Sequence, residues 1–433
     1  MQTLISYNQI SHNLNPIQAL RRLTKHTYST IAYIVLPVFF ALSGYGSDYP
    51  SGSTCSSTPN ANDDPSVVTV SDHGCLSVAS GKTISGAGTN SLGQRNEWIG
   101  VRVPDNAQYI TVTNNGSILS GGSGSPSATY SIYAPSPTRL KLENNNIIGD
   151  STTNYGVESG VSDITNGSSS NSNATIKGST NAIKINSGSE VKNYGKIEGN
   201  VAITGGSGKG KLYTYSSSSI TGNVSSGSDP LEMFIHGGSI SGAVTINQNV
   251  DNDHAVDGLV RVIGQGAVFP SFSSNTKKTL AEVKITSSNN HATGGSNIIF
   301  KNTGNEVKLT YGKLDGDIKF LNNTDNTANA AGTVNVAAGT LAANKSIHMS
   351  GGIINLNTGA TAVPAVDSGS SNNTLNINDS LTLDVTNTRN NEAATKLIST
   401  VGLVSGTLGG DIKFQDSSNN NLSGTVDVSG GTL

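Results

Sequence analysis

Near-copies of one short unit recur along this chain at intervals too small for a self-standing fold, and that spacing limits the architecture more than any other feature. Ile197-Glu-Gly-Asn-Val201, Ile220-Thr-Gly-Asn-Val224 and Ile240-Ser-Gly-Ala-Val244 share an apolar-x-Gly-x-apolar pattern, with 23 and then 20 residues between successive copies. Val112-Thr-Asn-Asn-Gly-Ser-Ile118 and Val191-Lys-Asn-Tyr-Gly-Lys-Ile197 form a second related pair. A unit of about 20–25 residues cannot enclose a core of its own, so it has to bury its apolar side against its neighbours, which is the logic of a solenoid.

A longer repeat lies downstream. Leu314-Asp-Gly-Asp-Ile-Lys-Phe320 returns as Leu408-Gly-Gly-Asp-Ile-Lys-Phe414, and Gly332-Thr-Val-Asn-Val-Ala-Ala-Gly-Thr-Leu341 returns as Gly424-Thr-Val-Asp-Val-Ser-Gly-Gly-Thr-Leu433. The first pair is offset by 94 residues and the second by 92, so the copies differ by two residues of connecting loop. Loop length changes cheaply, whereas a one-residue slip inside a strand would turn its apolar side outward. Leu375, Ile377, Leu381, Leu383 and Val385 all fall on odd positions, the period of a strand with one face inward.

Composition supports the same reading. Charged residues make up 13% of the chain and aromatics 5%, while glycine reaches 51 residues; Val, Ile and Thr recur in short runs between Gly, Asn and Ser. Disordered chains are usually richer in charge and poorer in β-branched residues. A net charge of −3 offers no basic field for nucleic acid, and none is expected as a partner. The expected fold is all-β, a right-handed parallel β-helix with loop insertions, after a helical N-terminal signal segment. Ser120 to Ser179, with Pro126, Pro135 and Pro137, reads as loops projecting from the stack.

The signal segment is expected at residues 1–43. Arg21, Arg22, Lys25 and His26 precede an apolar run from Ile31 to Leu42, which is shorter than the ~20 residues of a bilayer span. Ala41-Leu42-Ser43 places small residues for cleavage after Ser43. Residues 44–66 read as a linker and N-terminal cap region, and 67–433 as the repeat region, expected to be incomplete at its C-terminus. Cys55 and Cys75 fall where a disulfide persists after export. A bridge would close a loop of about 20 residues and add up to ~3 kcal/mol in the chain-entropy model. Two free thiols or a metal site are the alternatives, and neither cysteine has a His or Cys at metal-ligand spacing.

The Asn-x-Gly-x-Ile, Ile-x-Gly-Asn-Val and Gly-Thr-Val-x-Val…Gly-Thr-Leu units, after an export signal, resemble the passenger region of bacterial autotransporters, over most of Val67 to Leu433. The resemblance implies secretion or display at the outer membrane via the periplasm. It also implies an outer-membrane β-barrel translocator in the intact protein and a role in adhesion, aggregation or toxicity. The partner would be a host-surface molecule, protein or glycan, or a second passenger. No family site residue carries over, because passengers share a scaffold and not a site.

Motifs that could carry chemistry are few and incomplete. Gly205-Gly-Ser-Gly-Lys-Gly-Lys211 approaches a phosphate-binding loop, but Leu212 stands where Ser or Thr should hold Mg²⁺ and no helix-forming stretch follows. Asp315 and Asp317 share a strand face, as paired carboxylates of a glycosidase would, yet the same face carries Lys319 and the second copy replaces one acid with Gly409. Gly121-Gly-Ser-Gly124 begins like a calcium repeat and then places Pro126 at the ligand position. Trp98 fits a core or cap position more readily than a sugar platform. No catalytic, cofactor-binding or metal residue is expected. A structural and interaction protein is the first reading, and a polysaccharide-active lyase or glycosidase, or a toxin-type passenger, the alternative. N-terminal sequencing of exported material should read from Gly44; material starting at Met1 would rule the signal out.

Overall fold

In the computed structural model the chain divides into two units, residues 1–51 and 52–433. The structure describes residues 68–86, most of 97–246 and, beyond these, strands and short flanks between 258 and 432. The first unit, the linker at 44–66 and the expected helical signal segment lie outside the described residues; the described residues contain no helix.

The fold is all-β. Among the described residues the strands form one sheet of 26, one of seven and one of three. Strand partners among the described residues are parallel, and the isolated bridge between Ser168 and Asn171 is antiparallel. The chain runs across three faces in turn and returns to the first one level further on, the topology of a parallel β-solenoid. The first face stacks Glu97–Arg102, the start of Ala128–Asn144, the start of Tyr155–Asn166, Asn181–Ser187, Val201–Gly206, Val224–Ser226 and Val244–Ile246. The second stacks Cys75–Val78, Ile110–Asn114, the ends of the same two long strands, Glu190–Asn193, Gly210–Thr214, Leu231–Ile235 and Gly258–Val262. The third stacks Thr83–Ser85, Ser117–Leu119, Ile147–Ile148, Thr175–Lys177, Lys196–Glu198, Ser219–Ile220 and Ser239–Ile240. Among the described strands coil length varies from 18 residues, between the paired Ile183 and Val201, to 36, between Cys75 and Thr111.

Alternation explains why these segments are strands. On the first face Val101, Ile132, Val157, Ile183, Val201, Val224 and Val244 form one fully buried column. Ile84, Ile118, Ile148, Ile176, Ile197 and Ile220 form another on the third face. Each such side chain contributes about 1.5–3 kcal/mol of transfer free energy, and β-branching suits a pleated, packed surface. The repeat copies are therefore spatial neighbours: Ile197, Ile220 and Ile240 pair in register, as do Val201, Val224 and Val244.

Between those two columns lies a corner that accepts only glycine. A Cβ on Gly199 would run into the Gly178 carbonyl, one on Gly222 into the Gly199 backbone, and one on Gly242 into Gly222. The adjoining asparagines fix the same corner from outside. The Asn200 side chain accepts from the Asn223 backbone N–H at 2.9 Å, and that of Asn223 from the Ala243 N–H at 2.9 Å.

The corner between the second and third faces is held from inside. Asn114, Asn144, Asn166 and Asn193 are fully buried and stand in register. Each of the first three donates its side-chain amide to the next Oδ1, at 2.8, 2.8 and 2.9 Å. Each of the four also donates to a main-chain carbonyl of the following coil: Ile147, Thr175, Lys196 and Ser219. Buried amides satisfied in this way avoid the desolvation penalty of an unpaired polar group. The ladder ends at Thr214, whose hydroxyl donates to the Gly237 carbonyl at 2.9 Å.

One expectation is corrected. Residues 128–179 are not projecting loops but part of the stack, including the long strands Ala128–Asn144 and Tyr155–Asn166. The register between those two strands shifts between Ala134 and Arg139, an interval that holds Pro135 and Pro137. The prolines mark where one strand turns from the first face to the second without interrupting either. Leu140 and Leu142 are buried on the far side of that bend.

Cys75, which opens the first strand of the second face, is disulfide-bonded; Cys55 lies outside the described residues. Replacing Asn166 with Ala should cost about 2–4 kcal/mol in urea unfolding, because it strands a buried amide donor on one side and two buried acceptors on the other. Asn223→Ala, at the solvent side of the other corner, should cost under about 1 kcal/mol, since Ala243 already occupies the equivalent place one coil on.

Candidate interaction surface

The outward side of the second face carries two short columns of aromatic rings. Lys192, Tyr213, Phe234 and Arg261 stand opposite one another on successive coils. The Tyr213 and Phe234 rings stack with centroids 4.9 Å apart and planes within 13°, and the Arg261 guanidinium lies 5.9 Å from the Phe234 centroid. Just past the strand ends, Tyr194 stacks on Tyr215 at 4.0 Å and 3°, and Tyr215 on His236 at 5.3 Å and 7°. The Tyr215 N–H donates to the Asn193 carbonyl and the His236 N–H to that of Thr214, so each ring rides one coil beyond the last. Tyr213 and His236, 6.4 Å apart, join the columns.

All five rings are half-buried. They lie along the coil axis with their flat sides against each other, so solvent meets mostly ring edges and hydroxyls. Burial, together with a hydrogen bond to Tyr194, pushes the Tyr215 phenol up to about 12, so it remains a donor at neutral pH. Burial, and the nearby Glu190 carboxylate, also raise Tyr213. The flanking charges are mostly paired. Lys192 bonds Glu190, which holds the lysine above its usual value, and Lys209 bonds Glu232 at 2.8 Å. Lys211 stands between those two carboxylates in the register and forms no ion pair among the described residues.

A second aromatic group sits on the first face. Tyr130 stacks on Tyr155 at 4.9 Å and 12°, with Tyr133 tilted by 56° against Tyr130. A cation is already built in: Lys184 lies 5.6 Å from the Tyr155 centroid and bonds Glu158 at 2.9 Å. That group acts as internal bracing between coils, an attraction of ammonium for ring and carboxylate.

The residues singled out from sequence do not converge. Asp317 and Lys319 face outward on either side of buried Ile318, while Asp315 lies outside the described residues. The glycines of the loop at 205–211 form the turn between Val201–Gly206 and Gly210–Thr214; Gly205, Gly206 and Gly208 take positive φ there, and no helix follows. Of the calcium-like run, Gly121 is described, and its position-six residue Pro126 is not. Trp98 is half-buried in Glu97–Arg102, opposite Thr129. Among the described residues no group of three or more His, Cys, Asp or Glu is placed to hold a metal.

The aromatic columns escaped the sequence reading, yet their signal is present. Tyr194, Tyr215 and His236 are spaced by 21 residues each, as are Tyr213 and Phe234. That period matches the coil, and outward positions carry it as strictly as inward ones. No family model, no characterised protein and no solved structure matches this chain.

His236 has a folded-state pKa below its ordinary value of 6.5 because burial disfavours the imidazolium. The unfolded chain therefore takes up the proton first, and the contribution is intact above 6.5 and lost as pH falls towards the folded value. The urea midpoint should drop more between about pH 7 and pH 5.5 for the wild type than for His236→Phe, which keeps a ring in the stack.

Proposed function

We propose that the chain is the passenger region of an exported autotransporter, a right-handed β-helix held at or released from the bacterial cell surface and acting in adhesion or aggregation. The observation that carries this reading is the stack of short parallel coils, built from the same Ile-x-Gly-Asn-Val and Asn-x-Gly-x-Ile units on which the resemblance rests. Parallel crossovers are right-handed in nearly all proteins, which gives the hand. A wall with outward-facing, half-buried aromatic and charged side chains suits contact with another surface, since tyrosine, phenylalanine and arginine are the residues enriched where proteins bind.

Export would begin with the N-terminal signal and end with a β-barrel translocator in the outer membrane. The exported chain folds where a disulfide at Cys75 is stable. Fractionation of producing cells, with protease shaving of intact cells, tests the location. The repeat region should be cleaved from the surface or recovered from the medium; retention in the cytoplasm in full would sink the proposal. Purified protein should then bind cultured host cells or clump the producing cells. Tyr213→Ser with Phe234→Ser should lower that activity at least fivefold if the second face is the contact surface, a loss of about 1 kcal/mol of interaction.

A further inference from the structure

The inner side of the corner between the first and second faces changes character over three successive coils. Before them it is filled by Val103 and Ile110, and after them Ile203 lies against Gly210, where an added Cβ would meet it at 2.7 Å. Between these, Ala134, Thr138, Ser159, Ser162, Ser187 and Ser189 are buried beside Leu140 and Ile185. In the register Ser159 stands where its neighbours carry Ala134 and Ile185, and Ser162 where the coil before carries Leu140. Backbone pairing is irregular at the same place, with shifts between Ala134 and Arg139 and again between Ile185 and Ser187. Two of the hydroxyls are bonded within the chain. The Ser189 Oγ accepts from the Ser162 N–H at 2.8 Å and donates to the Asn186 carbonyl at 2.5 Å, and the Ser162 Oγ donates to the Gly160 carbonyl at 3.2 Å. The other three, on Thr138, Ser159 and Ser187, are enclosed at 0, 6 and 1% exposure and meet no protein partner. An enclosed hydroxyl left in that state carries its whole desolvation penalty.

We propose that this corner is an internal binding site for a short file of ordered water molecules, held by the hydroxyls of Thr138, Ser159 and Ser187. Size allows it: the difference between a leucine and a serine side chain exceeds the ~30 Å³ that one water takes up in the liquid. Chemistry selects it. Each hydroxyl has both a proton to give and lone pairs to fill, and water both accepts and donates. A bound cation would leave the hydroxyl protons without an acceptor, and it would need a carboxylate to offset its charge in the interior. The acids of these coils, Glu143, Glu158, Asp163 and Glu190, alternate with buried residues and lie on the outward side of their strands; Glu158 and Glu190 are already paired with Lys184 and Lys192. The waters thus sit where strand Ala128–Asn144 bends through its prolines and stitch together coils whose backbones pair least regularly there. The inference rests on register and burial alone and is independent of the export and adhesion readings.

Crystallography of the purified protein at a resolution that shows ordered solvent tests this, together with urea unfolding of Ser159→Ala and Ser187→Ala. Water within hydrogen-bond distance of all three hydroxyls is expected. Each alanine variant should raise the unfolding constant at least about threefold, because it takes a partner from a held water. Ser225→Ala, at an outward position of the first face, should change it by less than about twofold. The sign of the two inward substitutions separates a wet corner from a dry one. In a dry corner the hydroxyls only cost stability, so removing one leaves the protein as stable as the wild type or more so. That result, or a corner without solvent density, overturns the proposal. A urea midpoint that rises when potassium or sodium replaces choline at equal ionic strength, and loses that rise in the alanine variants, makes the occupant a cation and overturns it as well. The crystal structure of the wild type decides the matter even where a variant fails to fold.

Discussion

Everything in this fold depends on each coil turning its corners directly over the corners of the coil before it. Strand-to-strand hydrogen bonds tolerate sliding by two residues, because the pattern repeats with the pleat. Corners do not. At one of them a glycine backbone fills the space where any side chain would collide with the coil beneath. At another, Asn114 to Asn193 pass hydrogen bonds from coil to coil through the interior. The apolar columns supply most of the driving force, yet they are nearly interchangeable Val and Ile. Register comes from the polar and glycine positions, which allow one placement each.

Different residues were legible for different reasons. The Ile197, Ile220 and Ile240 copies could be read because inward apolar positions tolerate few substitutions, so similarity survives there. Asparagine between short apolar runs ordinarily marks a turn, and that preference hides an interior role for it. Strand alternation puts Asn114 on the side of Val112, but an asparagine beside Asn-Gly reads as the start of a turn and not as a strand's inward end; the structure buries Asn114 and exposes Asn115. The stretch from Ser120 to Ser179 misled because Pro135 and Pro137 signal a broken strand. In a solenoid a strand that bends from one face to the next has a natural place for them.

The outward surface was harder still. Composition averaged over the chain dilutes five rings among many serines, and outward positions are free to vary, so only their spacing marks them. Once Tyr194, Tyr215 and His236 are placed at one coil each, the rings, the lysines and the carboxylates fall into rows that alternate in charge and polarity. Such rows convert a one-dimensional spacing into a two-dimensional surface, and that surface was the part of the molecule that could not be assembled before the corners were known.

The interior ladder also sets the units in which this protein can change length. Each buried asparagine gives to the coil ahead, and Asn144, Asn166 and Asn193 receive from the coil behind, so a whole coil can be added or removed and the chain of donors closes again. Half a coil cannot. The hand-over from Asn193 to Thr214 shows how a run is brought to a stop, with a shorter side chain that still reaches a carbonyl of the next level. Growth by duplication is thereby quantised, and lineages that gain or lose reach should do so in steps of one turn.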